Sequence, residues 1–516
     1  MKLFAIGDSL TQGFMSGAAA QANQSYVKLI ADALQAHPFH VCDYWPRGGM
    51  PLNLEELLRT LEKRFGDNIS GPIEWPLASN VITNFLDSSE DYWERGQGGL
   101  TNPYPIPHHF FHNSAVWGMR IADAWNLNAS LARDLVKIDK GTQGDGWFAI
   151  PSAPFYRTIN RLLNPQQSLE CDHLSVLDWL EKHVTGTQPS DNQGGVENLI
   201  IWLGNNNVLG TALSLKPNQT TPIEWAGKTC LPHELSHYVR EFLDDNKARN
   251  WNLWRPDHFE AEYSELIRRV DLIMNQNPEN TNWNVFVANV PHVTIIPLIK
   301  GLGEQYVINR PNRQGKPVDR IYFKYYGYFF LNEENLHSGW DYLTLQDALF
   351  IDDSIDSFNQ SIDRILKEYN DQHETKRYHL IDTNDVLAKL AWKRNNGMPT
   401  FSLPGPLKHR YPPVNTKYYN AAFNGAKNVL KDGGIFSLDG VHPTAIGQGI
   451  IASEFLKVMR DAGVNDSQGI PLDHQSLPWE GIIQSDTLYQ KPIALVKELY
   501  QHNELFDLFK RIGKIF

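Results

Sequence analysis

Residues 1–14 read MKLFAIGDSLTQGF, and the reading of the fold starts there. Positions 2–6 form a short, mostly apolar run with aromatic and β-branched members, which predicts a strand. Gly7-Asp8-Ser9 ends it. A hydroxyl just past the carboxyl end of a strand sits where an open α/β sheet presents its chemistry. Ser9 is therefore the candidate nucleophile. Glycine, aspartate and serine are also turn formers, so the tripeptide alone serves a plain turn equally well.

Outward from this stretch, strand and helix patterns alternate. Strands are expected at 39–45, 110–116, 199–203, 283–290 and 378–381. The run LIIWL at 199–203 is continuously apolar, as a central strand buried on both faces requires. Helices are expected over 21–35, 53–65, from about 119, and over 174–183, 234–246, 259–275, 354–369, 385–393 and 419–430. A further one follows Pro443 to about 461. Residues 66–107 read as loops with short helices, 139–172 as irregular, and 300–352 as a strongly aromatic insertion. This alternation predicts a three-layer, doubly wound, mostly parallel α/β sheet in one large domain over 1–461. Insertions fall near 46–109, 139–195, 205–257 and 300–352. Residues 462–516 form a C-terminal extension whose amphipathic helix, 492–516, packs on the core or lies on a membrane surface.

Composition narrows the function. The net charge is −12, from 47 basic and 59 acidic residues, which argues against broad nucleic-acid binding. Cys42, Cys171 and Cys230 are odd in number and widely spaced, so free thiols are expected. No run of about 18 apolar residues predicts a membrane span. The opening residues do not read as a signal peptide, and a cytoplasmic location is expected.

Four strand ends carry suitable chemistry: Ser9, the loop at Gly118, Asn206, and the pair Asp439/His442. A parallel sheet gathers such ends along one edge. A serine hydroxyl needs an imidazole to take its proton, and the imidazole needs a carboxylate to hold its tautomer. The oxyanion of a tetrahedral intermediate needs fixed donors. Asp439 and His442 lie three apart in a glycine-containing loop, and Pro443 sets His442 at the entry of the following helix. Each feature also has a structural reading. Asp439-Gly440 makes a turn, Asn206 caps a helix, and Gly118 serves a strand-to-helix turn.

Together these residues resemble the signature blocks of the GDSL, or SGNH, hydrolase superfamily. Gly7-Asp8-Ser9-Leu10 matches the first block, Asn113-Ser114-Ala115-Val116-Trp117-Gly118 is similar to the second, and Gly204-Asn205-Asn206-Asn207 resembles the third. Asp439-Gly440-Val441-His442-Pro443 matches the fifth. The resemblance implies a flavodoxin-like sheet and an esterase or lipase activity needing no cofactor. It implies Ser9 as nucleophile, His442 as base and Asp439 as its orienting acid. The oxyanion donors would be the N–H groups of Ser9 and Gly118 and the amide of Asn206. One position departs: Asn207 stands where the family usually has aspartate. A small-molecule or lipid ester is the implied substrate, with acetylated sugars second.

Two other readings remain at this level. His233-Glu234-Leu235-Ser236-His237 is an HExxH string, which on one helix would bind zinc with Glu234 as general base, and Glu260, Glu262 or Glu265 as third ligand. Alternatively, the aromatic insertions and C-terminal helix belong to a non-catalytic binding protein built on a hydrolase fold.

Overall fold

The computed structural model describes residues 2–18, 21–43, 50–95, 109–138, 151–187, 194–242, 250–313, 315–337, 341–474 and 477–500. Its centre is an all-parallel sheet of β1 (Leu3–Gly7), β2 (Asn198–Trp202), β3 (Asn284–Ala288) and β4 (Tyr378–Ile381), in that spatial order. Register runs Leu3↔Asn198 to Gly7↔Trp202, Asn198↔Asn284 to Ile201↔Val287, and Val285↔Tyr378 to Ala288↔Ile381. Every residue of β1 and β2 is buried, so both faces are covered, as continuous apolar strands demand.

A fifth lane lies outside β1. The Ala5 N–H donates to His112 O, and the N–H groups of Ser114 and Val116 donate to Ala5 O and Gly7 O. These are parallel-ladder bonds, although only Ala5↔Asn113 forms a bridge. The expected strand at 110–116 is thus a hydrogen-bonded edge segment. No strand forms in the described part of 39–45; His40 instead exchanges hydrogen bonds with His112, N to Nδ1 at 2.8 Å and His112 N to His40 O at 2.9 Å. Residues 44 and 45 lie outside the described residues.

Helices α1 (Tyr26–Ala33), α2 (Val176–Thr185), α3 (Pro256–Met274), α4 (Leu345–Asn370) and α5 (Ala445–Asp461) form the main outer layers. Trp202 of β2 lies under Tyr26 of α1 and Phe455 of α5, with ring centroids 5.7 and 6.3 Å away. Phe259 of α3 stacks on Phe358 of α4 at 4.0 Å. Thr344 and Asp347 form a reciprocal capping box that starts α4 nine residues before the expected 354.

The insertions differ from expectation in three places. Residues 66–107 contain a helix of 25 residues, Gly71–Arg95. Pro76 in its sequence masks an apolar stripe of Ala78, Ile82, Leu86 and Trp93, all buried. Residues 139–172 contain the helix Pro154–Leu163, while 139–150 lie outside the described residues. Residues 300–352 include a long hairpin, Ile299–Pro311 with Pro317–Tyr328, where Phe323 covers Gly301 so closely that a Cβ would sit 2.0 Å from its ring.

The helix expected at 419–430 is instead a hairpin, Asn420–Asn424 with Lys427–Asp432. Its turn is Gly425-Ala426, with Gly425 at φ +68° in the first central position, a two-residue hairpin loop that overrides the short helical pattern. Of the C-terminal helix, the described part is a 3₁₀ segment, Ala494–Tyr500, in which Leu495 and Val496 are fully buried. The remainder, 501–516, lies outside the described residues. Cys42, Cys171 and Cys230 form no disulfide, as expected. Among the described residues, no helix is long and apolar enough to cross a membrane.

Candidate active site

β1 ends at Gly7, and Asp8 caps the single helical turn Ser9–Gln12 by accepting the Leu10 N–H. Gly7 is a glycine because Thr11 folds back over it: a Cβ there would lie 2.2 Å from the Thr11 hydroxyl. This elbow sets Ser9 Oγ 2.8 Å from His442 Nε2, across 433 residues. His442 Nδ1 lies 3.0 Å from Asp439 Oδ2. Ser9, Asp439 and His442 are all buried.

The Asp439 loop is held from several sides. Oδ1 accepts the N–H groups of Val441 and His442 at 2.9 and 2.8 Å, and Oδ2 accepts the Gly17 N–H at 3.0 Å. Gly440 has φ +67°, and a Cβ there would meet Leu298 N at 2.7 Å, so only glycine fits this turn. Ser437 N–H donates to His442 O, closing the loop before α5 begins at Ala445, with Thr444 as its cap. Burial works to raise the Asp439 carboxyl; His442 and the two backbone donors outweigh it, and its net direction is down. An ionised carboxylate at Nδ1 fixes the tautomer that leaves Nε2 free to accept the Ser9 proton.

Asp8 behaves in the opposite way. Burial lifts its carboxyl to about 6, against the Asn205 amide, the Leu10 N–H and His442. Its Oδ2 accepts from Asn205 Nδ2 at 2.8 Å. That bond ties the end of β1 to the asparagine loop after β2.

The three asparagines form one 3₁₀ turn, Asn205–Asn207, after Gly204 at φ +113°. Asn206 Nδ2 donates to Met119 O at 3.0 Å, which uses one of its two amide hydrogens. Gly118 has φ +78°, the left-handed region that favours glycine. Among the described residues, no hydrogen bond uses the backbone N–H of Ser9 or of Gly118. The segment 117–122 is turn and irregular loop, and helix resumes only at Asp123–Asn126, later than the expected start near 119. Asn113, conspicuous in the second block, donates to Thr11 O and accepts the Ala115 N–H. It therefore fastens this loop to the elbow.

The surroundings are aromatic, but not from the expected source. The Phe14 ring is 4.6 Å from the His442 ring and 5.9 Å from Trp117, and Phe155 lies 5.7 Å beyond Trp117. The aromatic insertion near 322–326 packs elsewhere: the Tyr322 hydroxyl donates to Asp352, and Arg394 lies over its ring. A separate polar cavity of about 780 Å³ lies past Asn289 and Asp382, at the ends of β3 and β4. Its arginines are paired: Arg310 with Asp353, Arg313 with Asp363 and Asp382, Arg320 with Asp356, and Arg394 with Asp352.

The HExxH residues do not share a helix. His233 and Glu234 lie in a 3₁₀ turn, Pro232–Glu234, Leu235 is extended, and helix resumes at His237. The Glu234 carboxylate accepts the Leu231 N–H, and His237 Nε2 sits 2.7 Å from Asp123. Glu260 pairs with Arg364, and Glu265 with Arg268 and Arg269. Glu262 accepts hydrogen bonds from Ala122 N–H and Asn207. Among the described residues, no group of three or more His, Cys, Asp or Glu is arranged to hold a metal ion.

Sequence reasoning missed three supports: the Asp8–Asn205 bond, the Gly17 N–H on Asp439, and Glu262. The first two are tertiary contacts without a local pattern. Glu262 had a signal, since it lies on the same face of α3 as Phe259, Leu266 and Val270, where an apolar residue is expected. No family model matches the chain, and no curated protein matches it.

Proposed function

We propose that this protein is a serine hydrolase of carboxylic esters, of the GDSL/SGNH type, working through an acyl-enzyme. The observation that carries this reading is the 2.8 Å contact between Ser9 Oγ and His442 Nε2, with Asp439 behind the imidazole. The lane order 112–116, β1, β2, β3, β4 supports it, because it matches the order 2-1-3-4-5 of flavodoxin-like sheets, which bind ligands beyond the carboxyl ends of their strands.

In this mechanism, Ser9 Oγ attacks the ester carbonyl carbon as its proton passes to His442 Nε2. The carbonyl oxygen becomes an oxyanion, held by the N–H groups of Ser9 and Gly118 and the second amide hydrogen of Asn206. His442 then gives its proton to the departing alkoxide oxygen, and the C–O bond breaks to leave an acyl-Ser9. Water repeats the sequence: His442 takes its proton, its oxygen attacks the acyl carbon, and the proton returns to Ser9 Oγ. Asp439 stabilises the imidazolium at both stages. Phe155, partly exposed beside Gly118, favours an apolar acyl group.

A panel of p-nitrophenyl esters of increasing acyl length, run on wild type and Ser9→Ala, tests the proposal. Wild type should hydrolyse at least one ester, and Ser9→Ala should lose nearly all turnover while keeping its circular-dichroism spectrum and melting temperature. Equal hydrolysis by the two proteins overturns it.

A further inference from the structure

The donor loop at 118–123 contains little regular structure to hold it. Its peptide groups are instead fixed one after another by side chains. Met119 O receives the Asn206 amide, Arg120 N–H donates to Asp123 Oδ2, Ile121 N–H donates to Asn207 Oδ1, and Ala122 N–H donates to Glu262 Oε1. Asn207 Nδ2 in turn donates to Glu262 Oε2 at 3.1 Å. Asn207 is fully buried and Glu262 nearly so.

This chain has one self-consistent polarity. Ile121 offers a donor, so Asn207 must present its oxygen there and its nitrogen to residue 262. Residue 262 then faces two donors, Asn207 Nδ2 and Ala122 N–H, and needs two acceptors. An ionised carboxylate supplies both; an amide cannot. Burial pushes the Glu262 carboxyl up to about 7, so the pairing is complete above that pH. The resembled family usually has its carboxylate at the position of Asn207, whereas here α3 supplies one from Glu262.

Resting on the ester-hydrolase reading, we propose that Glu262 is a positioning residue. Acting through Asn207 and Ala122, it sets the backbone of loop 118–123 so that the Gly118 N–H meets the oxyanion. It touches no reacting atom. Its effect should therefore fall on the transition state, in kcat, and leave ground-state binding little changed.

The same polarity defines the test. Glu262→Gln sets two donors against each other, either at Asn207 Nδ2 or, if Asn207 turns over, at Ile121 N–H. Asn207→Asp sets a carboxylate against Glu262, whose buried carboxyl is already pushed up to about 7; Glu262 then holds a proton, donates it to the new aspartate and keeps the Ala122 N–H on its other oxygen, so the pairings survive. The double variant Asn207→Asp/Glu262→Gln restores every pairing: Ile121 N–H to Asp, Gln amide to Asp, and Ala122 N–H to the Gln oxygen. On the best p-nitrophenyl ester at about pH 8.5, where wild-type Glu262 is ionised, Glu262→Gln should lose about 10- to 100-fold in kcat with KM nearly unchanged, as small displacements of a donor do, while Asn207→Asp stays within a few-fold of wild type. A trifluoromethyl ketone, which forms a tetrahedral adduct on a serine, should lose affinity for Glu262→Gln by the same factor. The double variant should recover both to within a few-fold of wild type. A purely structural role would lower the melting temperature without splitting kcat from KM.

Glu262→Asp, which keeps the charge and shortens the reach, serves as a second variant if Glu262→Gln does not fold, and should also lower kcat with KM unchanged. An active wild type with unaltered kcat in folded Glu262→Gln or Glu262→Asp, or a double variant no better than the worse single, overturns the positioning role alone. A wild type that hydrolyses no ester and takes no fluorophosphonate overturns the ester-hydrolase reading and this role with it.

Discussion

Replacing Asp439 by asparagine changes one oxygen into an NH₂ group, and the surrounding contacts dictate the outcome. The carboxylate now takes four hydrogen-bond contacts: Val441 N–H and His442 N–H on Oδ1, and Gly17 N–H and His442 Nδ1 on Oδ2. The asparagine keeps its oxygen toward residues 441 and 442, because the reverse orientation opposes two backbone donors at once. Its NH₂ group then faces the Gly17 N–H, which loses its acceptor at a cost of about 1–3 kcal/mol in stability. The same NH₂ donates to His442 Nδ1. The imidazole proton moves to Nε2, which then donates to Ser9 Oγ when it should accept. With the wrong tautomer, kcat should fall by about 10⁴, or about 5.5 kcal/mol in the barrier, while KM changes little. Steady-state hydrolysis of the best p-nitrophenyl ester gives kcat and KM, and thermal unfolding gives the stability change. A folded Asp439→Asn protein retaining more than a tenth of wild-type kcat would refute this account of the loop.

Asn206→Ala removes the amide that holds Met119 O and offers its second hydrogen to the oxyanion. Turnover should fall by about 10²–10³, and wild-type rates in that variant would remove Asn206 from the mechanism. Asp8→Asn tests the buried carboxyl beside the nucleophile through the pH dependence of stability. The folded state raises this carboxyl from 3.8 to about 6, so it holds the proton more tightly than the unfolded chain does. The associated stability is complete below pH 3.8 and is lost as pH rises to about 6, a span worth about 3 kcal/mol. Among the described residues Asn205 Oδ1 has no hydrogen-bond partner, and the amide can turn to accept from the new one. Asp8→Asn should therefore gain up to about 3 kcal/mol over wild type at pH 8 and almost nothing below pH 4. Urea unfolding at the two pH values measures this, and an equal difference at both would contradict it.

Much of this site was legible because short-range patterns wrote it. The apolar run LIIWL and the asparagines after it announce a buried strand and its edge, and the 2–9 stretch does the same for Ser9. Asp439-Gly440-Val441-His442-Pro443 combines a tight turn, a brace and a helix entry within five residues. The insertions were legible only in part. Pro76 concealed the 25-residue helix Gly71–Arg95, and a short helical pattern hid the Gly425-Ala426 turn of the hairpin at 420–432. The HExxH string shows the limit of motif spacing. Its two histidines bind a common ion only if one helix carries both, and the extended Leu235 separates them. Glu262 was singled out for the wrong chemistry: the HExxH string drew it in as a third zinc ligand, whereas its place on the apolar face of α3 points to a buried partner.

The most direct measurement is covalent labelling with a fluorophosphonate probe followed by peptide mapping. The account predicts stoichiometric modification of Ser9 in the folded wild type, none in Ser9→Ala, and a rate reduced by orders of magnitude in His442→Ala. A folded protein that takes no label at Ser9, or labels there equally fast without His442, would contradict it.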